Sequence, residues 1–497
     1  MLPYQHRFLT ILLAFAPVPA VAMPPPVPAA AQPAADVPQL PHEKYVLPSG
    51  LEVILHPDRT VPLVAVNVWY HVGSGDEVVG RSGFAHLFEH MMFQGAKHIG
   101  EDVHFDVLRK AGASSINGTT NTDRTNYFEV VPSHQMETAL WLESDRMGWL
   151  LDMLTQKSLD NQREVVRNER RLRYDNVPYG NERFALSAAL YPEGHPYRYM
   201  TIGLHEDLER ASLPDVKEFF RRWYVPSNAT LTLAGDFDPT EAKALVAKWF
   251  GTFPATPRPQ RKVVPAPQVK ATRVTVQDPF ARLRRLHLAW HSPAMHQPGD
   301  AELDLLAHAL GHHGTGRLYR KLVHEKQVAQ AVAAMQQSQQ MSSLFHVIVD
   351  LRPEADLAEV TALVEAELEA IRTAPLTARE LAQAVTDIES GFIWGLEGLM
   401  ARAETLQAYN HYLGAPDGIA KDLARYRTAT PEGIRAVVGR VLANASRIDV
   451  VTEPAPKARP AAAPPPTAPP PAAPPSPAPA VPPAVPPAVL PAPGGAR

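Results

Sequence analysis

The pattern of apolar and polar residues predicts a first block of strands and helices over residues 43–253. It opens with a hairpin over 45–56, because two apolar-rich runs flank the turn-forming sequence Pro48-Ser49-Gly50. The apolar run at 62–71 is continuous enough for a central strand. The other elements predicted in this block are helices at 83–94, 101–110, 133–152, 158–175, 213–223 and 239–250, a strand, polar turn and strand at 113–131, and a strand at 229–234.

A second block of the same kind is predicted over residues 270–452, after a linker at 254–269 that is rich in proline and basic residues. Two features recur in both blocks: a helix start with proline followed by an acid, at Leu213 and Thr430, and the dipeptide Asn-Ala where the next strand begins. This repetition indicates duplicated α+β halves. The second block is predicted to hold strands near 271–277, 284–291 and 343–351, and helices near 299–310, 315–326, 355–373, 377–398 and 429–442.

The two ends of the chain have a different composition from the blocks. Residues 1–22 have the features of a secretory signal peptide, namely a short basic start, an apolar run at 8–21 and an A-x-A cleavage site at 20–22. An uncleaved membrane anchor is the alternative, but two prolines within the short apolar run argue against it. Residues 23–42 and 453–497 are rich in proline and alanine, and we expect a flexible leader and a tail without a packed core.

Composition narrows the location and the chemistry. No second apolar run is long enough to span a bilayer, so we expect no membrane span after signal cleavage and a periplasmic location, with secretion as the alternative. A net charge of −4 over 497 residues, without a long basic run, implies neither nucleic acid nor an anionic membrane as a partner. The chain has no cysteine, which excludes disulfides and cysteine nucleophiles and leaves histidine and carboxylates as zinc ligands.

The predicted helix at 83–94 carries the sequence His86-x-x-Glu89-His90. Side chains four apart on a helix lie one turn above each other, so both imidazoles can bind one tetrahedral ion. Glu89 projects from the same side and can accept a proton from a water beside the metal. H-x-x-E-H is the inverted form of a metallopeptidase motif. The alternative is a surface helix with two solvated histidines, but the apolar residues around the motif favour a buried helix.

A zinc ion with two histidine ligands and catalytic function requires a third protein ligand. Glu169, on the predicted helix at 158–175, is a candidate, but spacing alone does not favour it over Glu164. Gln162 lies seven residues before Glu169 and shares its helix face. A second histidine pair, His308 and His312, has no glutamate between its members and adjoins a glycine-rich stretch, so we interpret it as a helix end and a loop in preference to a second metal site.

The polar strand Asn117-Gly118-Thr119-Thr120 has little side-chain bulk. Such a strand suits an exposed sheet edge, whose backbone groups can pair with an extended peptide. An ordinary solvated hairpin explains the same composition, and the stretch alone does not decide between the two.

Taken together, residues 43–452 resemble the insulinase/pitrilysin family of zinc metallopeptidases, and most of all its bacterial two-domain members similar to the subunits of the mitochondrial processing peptidase. The resemblance rests on the inverted motif and on five further stretches, which are Asn117-Gly-Thr-Thr before Thr125-Asn-Tyr, Glu143-Ser-Asp-Arg-Met, Arg163-Glu-Val-Val-Arg-Asn-Glu169, His195-Pro-Tyr before Ile202-Gly, and Trp223-Tyr-Val-Pro-Ser-Asn-Ala-Thr.

The resemblance implies a fold and a set of roles. The fold would be α+β, with two similar sandwich halves, each a ferredoxin-like layer of antiparallel sheet and helices, forming a clam-shell around a chamber. One Zn²⁺ per chain would be held by the family's ligands, the water would be activated by the motif glutamate, and substrate would lie along the edge strand. In this sequence the metal ligands would be His86, His90 and Glu169, the base Glu89, the supporting residue Gln162, and the substrate-binding residues Asn117, Gly118 and Thr119.

Two departures from the family pattern matter. Family members often carry a glutamate where Gln162 stands, and an amide there would still hydrogen-bond a ligand or water. Catalytic members also use an arginine and a tyrosine in the second half to hold substrate, and the matching positions here are Val323 and Gln330, which supply neither a cation nor a phenol. Because some bacterial members work as pairs, we expect a paralogous subunit that carries the arginine and tyrosine, or else a homodimer.

The leading hypothesis is therefore a periplasmic zinc endopeptidase that acts on peptides or unfolded segments, as the zinc-bearing subunit of a hetero-oligomer. A non-enzymatic assembly or scaffold subunit is the alternative from another class, against which the intact His86, Glu89 and His90 speak. A zinc hydrolase of non-peptide substrates is a third hypothesis.

Overall fold

The computed structural model describes residues 37–455, in which the first half of the chain builds a six-stranded sheet. The sheet order is β1-β2-β6-β3-β5-β4, and every neighbouring pair is antiparallel except β2 and β6. The edge position of β4 leaves one side of that strand unpaired within the sheet. These strands are β1 (Glu43–Val46), β2 (Glu52–Pro57), β3 (Leu63–Tyr70), β4 (Ser114–Thr120), β5 (Thr125–Pro132) and β6 (Ala229–Gly235).

Eight helices accompany the first sheet in the part of the chain that the structure describes. The end of the segment predicted as one helix at 158–175 is wound more widely, as a π-helical turn at Arg171–Asp175. The helices are α1 (Phe84–Met91), α2 (Val103–Lys110), α3 (Met136–Met153), α4 (Gln156–Arg170), α5 (Gly180–Leu190), α6 (His205–Arg210), α7 (Leu213–Trp223) and α8 (Pro239–Phe250). All but α5 and α6 were expected from the sequence pattern.

The second half builds a five-stranded sheet in the order β7-β11-β8-β10-β9. Its strands are β7 (Thr272–Asp278), β8 (Arg285–Ser292), β9 (Ala329–Gln337), β10 (Ser343–Leu351) and β11 (Ile448–Pro454). Its helices are α9 (Asp300–Gly311), α10 (Arg317–Tyr319), which continues as a π-helical segment at Arg320–Glu325, α11 (Leu357–Thr373), α12 (Ala378–Gly395), α13 (Leu399–Leu413), α14 (Ile419–Arg427) and α15 (Pro431–Val441).

The two sheets repeat one topology, which confirms the predicted α+β fold with duplicated halves. Strands β2, β6, β3, β5 and β4 of the first sheet correspond in order and direction to β7, β11, β8, β10 and β9 of the second. Each sheet contains one parallel pair, β2 with β6 and β7 with β11, so the expectation of antiparallel sheets holds for all other neighbours. Helices α1 and α4 pack together in the first half as α9 and α12 do in the second.

Each half packs one helix on the sheet of the other half. Helix α13 packs on β3 and β6 of the first sheet, and α5 packs on β7 and β11 of the second. The fully buried amide of Gln407 on α13 donates hydrogen bonds to the carbonyl oxygens of Asn67 (3.1 Å) and Thr230 (2.8 Å). Each half therefore covers part of the sheet of the other half. The domain boundaries at 253/254 and 269/270 stay a prediction.

The predictions for the chain ends fall largely outside the described residues. The signal peptide at 1–22, the leader up to residue 36 and the tail from residue 456 lie there. Among residues 37–455, none of the helices combines the length and the apolar character needed to cross a membrane.

Candidate metal centre and active site

Helix α1 holds the motif histidines inside the first half. Seven of its eight residues are buried, His86 and Glu89 among them, as the apolar sequence predicted. Gly83 caps the helix with φ 86°, and a Cβ there would lie 2.9 Å from the Cα of Gly203, so this position requires glycine. The carboxylate of Glu77 accepts hydrogen bonds from the backbone N–H groups of Gly83 (3.0 Å) and Ala85 (2.8 Å). These bonds satisfy N–H groups that have no partner within the helix, and they fix where α1 begins.

The structure brings His86, His90 and Glu169 together. The two imidazole rings lie one helical turn apart, with ring centroids separated by 4.8 Å. Glu169 lies in the last turn of α4, which packs against α1. Its Oε2 lies 3.6 Å from Nε2 of His86 and 3.3 Å from Nε2 of His90. One ligand atom from each of the three residues therefore faces a common point.

This geometry fits zinc. Two ligand atoms bonded at about 2.0–2.1 Å to one tetrahedral ion lie roughly 3.3 Å apart, close to the spacing of Glu169 from both imidazoles. Two imidazoles and one carboxylate are also a zinc donor set that leaves a fourth position for water or substrate. Burial lowers the pKa of His86 to about 4, so this imidazole is neutral near pH 7, the form that binds a metal.

Glu169 is the carboxylate that faces the histidines, whereas Glu164, the alternative left open by spacing, is exposed and pairs with Arg167 (2.6 Å). Burial opposes the ionisation of Glu169, but its hydrogen bond with His90 and the nearby charge of Arg173 outweigh burial and lower its pKa. The guanidinium of Arg173 lies 2.8 Å from Oε1 of Glu169, on the oxygen that does not face the histidines.

Glu89 lies beside the three ligands and is itself 8% exposed. The hydroxyl of Thr120, on β4, donates a hydrogen bond of 2.5 Å to Oε2 of Glu89. Burial raises the pKa of Glu89, which makes the carboxylate a better proton acceptor than a solvated one. A carboxylate so placed can accept a proton from a water near the three ligands.

The edge strand β4 forms one wall of a cleft of about 520 Å³ over these residues. Gly118 packs against the motif helix so closely that a Cβ there would lie 3.1 Å from Cγ of Glu89. Asn117 is exposed and Thr119 half-buried, and the hydroxyl of Thr119 donates to Oδ1 of Asn126 (2.6 Å). The cleft is lined by His86, Glu89, His90, Phe93, Gln94, Phe105, Asn117, Gly118, Thr119, Thr120, Gln162, Glu169 and Arg173. All the predicted site residues are in this set, and Gln162 is buried at its wall.

Three contacts that support the site were not predicted from the sequence. Arg173 follows Glu169 by one helical turn, a spacing that a search for ion pairs on the helix could have found. Thr120 touches Glu89 only because β4 crosses α1, and Glu77 reaches α1 from an irregular segment. Neither contact leaves a local pattern in the sequence.

Comparison with known proteins agrees with this geometry. The profile of the domain described as Insulinase (Peptidase family M16) matches residues 52–184, and the one described as Peptidase M16 inactive domain matches residues 210–387. The two matches cover more than half of the chain. The chain belongs to the insulinase family of peptidases, family M16. Every residue that lines the cleft falls within the first matched segment of this insulinase-family chain.

Relatives of the chain are named zinc proteases. Zinc protease PqqE of Helicobacter pylori is 29% identical over 365 residues, which are 72% of this chain and 80% of the relative. The probable zinc protease PqqL of Escherichia coli is 27% identical over 257 residues, which are 50% of this chain and 27% of that larger protein.

Solved structures share the fold of this insulinase-family chain. The crystal structure of a protease from Helicobacter pylori superposes with a TM-score of 0.78 at 26% identity, over 84% of this chain and 100% of that chain. The crystal structure of the periplasmic protease PqqL from Escherichia coli superposes with a TM-score of 0.70 at 18% identity, over 86% of this chain and 48% of that chain.

The segment matched to the inactive domain contains the two positions where catalytic family members are expected to carry arginine and tyrosine. Val323 is half-buried in the π-helical segment at Arg320–Glu325, and Gln330 is exposed on β9. Neither side chain carries a charge or a phenol.

Proposed function

We propose that this protein is a zinc-dependent endopeptidase that hydrolyses peptides or unfolded segments. The observation that carries the proposal is the convergence of His86, His90 and Glu169 on one point at zinc-ligand spacing, with the buried carboxylate of Glu89 beside it. The names of the relatives support the same activity.

The residues of the cleft have two roles, metal binding and proton transfer. His86, His90 and Glu169 would hold one zinc ion per chain, and a zinc ion held there would supply Lewis-acid polarisation of the scissile carbonyl and of a nearby water. Glu89 accepts the proton of the attacking water and passes it to the nitrogen of the leaving amine. The hydrogen bond from Thr120 keeps the Glu89 carboxylate turned toward the cleft during both transfers.

Substrate binding would use the free edge of the first sheet. Strand β4 is the last strand of the sheet, and its outer backbone groups can pair with a peptide in extended conformation. Such pairing would lay the peptide along Asn117, Gly118 and Thr119, and small side chains there leave room for its own side chains. An extended segment is required, so folded proteins would be poor substrates. Gln162 would support the ligands from the cleft wall.

A partner subunit and a periplasmic location are part of the proposal. The cleft is lined by first-half residues alone within the described chain, and Val323 and Gln330 bring no cation or phenol. We infer that a paralogous subunit supplies the arginine and tyrosine, with a homodimer as the alternative. The N-terminal signal-like sequence supports export, and the Escherichia coli PqqL of similar fold is a periplasmic protease.

The direct test is the substitution Glu89→Gln, which keeps the size of the side chain and removes its basicity. Purified Glu89→Gln is expected to bind zinc like the wild type and to lose hydrolysis of unfolded-peptide substrates by at least about a hundredfold. A chelator should abolish wild-type hydrolysis, and added zinc should restore it. Cleavage by Glu89→Gln at the wild-type rate would rule out Glu89 as the base. Absence of hydrolysis by the wild type, with and without the paralogous subunit, would contradict the peptidase proposal and favour the scaffold alternative.

A further inference from the structure

A second group of metal-ligating side chains lies in the second half, on α9 and α12. His308 is in the last turn of α9, His312 is the residue that caps its C-terminus, and Asp387 is in the middle of α12. Oδ2 of Asp387 lies 2.9 Å from Nε2 of His308 and 4.0 Å from Nε2 of His312. These distances bracket the spacing of roughly 3.3 Å between two ligands of one tetrahedral ion.

The Nε2 atom of His308 faces the carboxylate of Asp387. This atom is shielded from solvent, and within residues 37–455 it makes no well-aligned hydrogen bond, even though Asp387 is near. An ion between the imidazole and the carboxylate would satisfy both groups.

The orientation of His312 also suits a metal. Its Nδ1 lies 2.7 Å from the hydroxyl oxygen of Thr315, and the side-chain amide of Gln383 on α12 donates to the same oxygen (3.3 Å). When Nδ1 donates to this hydroxyl, Nε2 keeps its lone pair for an ion on the side of Asp387. Metal-binding histidines are commonly oriented by such a bond at the other ring nitrogen.

The second cluster is not a copy of the first centre. Helices α9 and α12 are the second-half counterparts of α1 and α4, but the clusters sit at different levels of the helix pair. The first centre joins both turns of the eight-residue α1 to the last turn of α4, whereas the second joins the last turn of α9 to the middle of α12. Duplication of the first centre therefore does not explain the second cluster.

We propose that His308, His312 and Asp387 form a second metal site that binds a divalent transition-metal ion, zinc above all. His312 and Asp387 are about two-fifths exposed, so the site keeps open positions for water and exchanges its ion more readily than the buried centre. A bound ion would link the end of α9 to α12. The two histidines do lie at a helix end, as the sequence indicated, but Asp387 completes a ligand set that their spacing alone did not reveal.

The test is the zinc content of the purified, untagged protein after equilibrium dialysis at micromolar free zinc. The wild type is expected to hold about two zinc ions per chain, and His312→Ala and His86→Ala about one each. The matched control is His313→Ala, because this neighbouring histidine faces Tyr319 instead of the cluster and its loss should leave two ions. The chain has no cysteine, so thiolates cannot contribute to the count.

The melting temperature tests the proposal even if one variant folds poorly. Zinc should raise the melting temperature of His86→Ala, and this rise should disappear in His86→Ala/His312→Ala and in His86→Ala/Asp387→Ala. The proposal is overturned if the wild type holds a single ion that His86→Ala removes, or if His312→Ala and Asp387→Ala bind as much zinc as the wild type. Loss of one ion in His312→Ala but none in His86→Ala would contradict the first centre and leave the second intact.

Discussion

The hydroxyl of Thr120 lies 2.5 Å from Oε2 of Glu89, so the edge strand of the first sheet holds the carboxylate of the motif helix. One hydrogen bond thus connects β4, along which the substrate is proposed to lie, with Glu89, which is proposed to transfer protons. The bond also explains how a carboxylate that is 8% exposed keeps one orientation beside the metal ligands.

Thr120→Val should slow peptide hydrolysis without loss of zinc. Valine has the shape of threonine but lacks the hydroxyl, and a hydrogen bond to a charged group contributes about 1.5–3 kcal/mol, or roughly ten- to a hundredfold in rate. The measurement is kcat together with bound zinc. Thr120→Ser, which keeps the hydroxyl, is the matched control and should retain most of the activity. Equal rates for the valine and serine variants would show that this bond does not position Glu89.

Glu77→Gln should weaken the start of the motif helix. The side chain accepts from two backbone N–H groups at the N-terminus of α1, and an amide in its place turns a donor toward one of these two donors. The expected loss is about 1–2 kcal/mol in the free energy of unfolding, measured in urea, with weaker zinc binding. Glu218→Gln, an exposed carboxylate on α7, is the control. An unchanged unfolding midpoint for Glu77→Gln would contradict the capping role.

The ion pair between Arg317 and Glu380 should make the second half sensitive to acid. Hydrogen bonds from the Arg317 guanidinium (2.6 and 2.7 Å) lower the pKa of Glu380 to about 2. Because the folded pKa is below the unfolded value, the stabilisation is present near neutral pH and is lost as the pH falls from the unfolded pKa toward about 2.

Arg317→Met removes this contribution. Near pH 7 the free energy of unfolding of the variant should be about 1–2 kcal/mol lower than that of the wild type, after allowing for solvent screening. This difference in unfolding free energy should become smaller near pH 3. Urea unfolding at both pH values measures it. If the difference in unfolding free energy stays constant or grows in acid, the Arg317–Glu380 pair is not the source of the acid sensitivity.

The fold could be predicted where local chemistry and packing agree. Helix α7 was predicted at its observed bounds, since Ser212 and a proline in the first turn mark its start and its buried residues recur at helical spacing. Strand β9 was missed, because Ala329–Gln337 is rich in alanine and glutamine and becomes a strand by pairing with β10. Helix α13 was missed because it lacks one clear apolar face and packs on the sheet of the other half.

The candidate site, too, could be predicted from the sequence only in part. His86, Glu89 and His90 follow from the spacing of one helix, whereas the spacing in α4 left Glu169 and Glu164 equivalent until the family resemblance favoured one. The contact of Asp387 with His308 joins distant parts of the chain, and Glu77 reaches α1 from a segment without a regular helix or strand pattern. No local period encodes such contacts, so the structure was needed to find them.

The most direct test of the central claim compares two glutamates on one helix. Glu169→Gln is expected to lose the tightly bound zinc and at least about a hundredfold of the peptide hydrolysis. Glu164→Gln, five residues earlier and exposed, is expected to keep both. Tightly bound zinc and hydrolysis at wild-type levels in Glu169→Gln would contradict a metal centre built from α1 and α4.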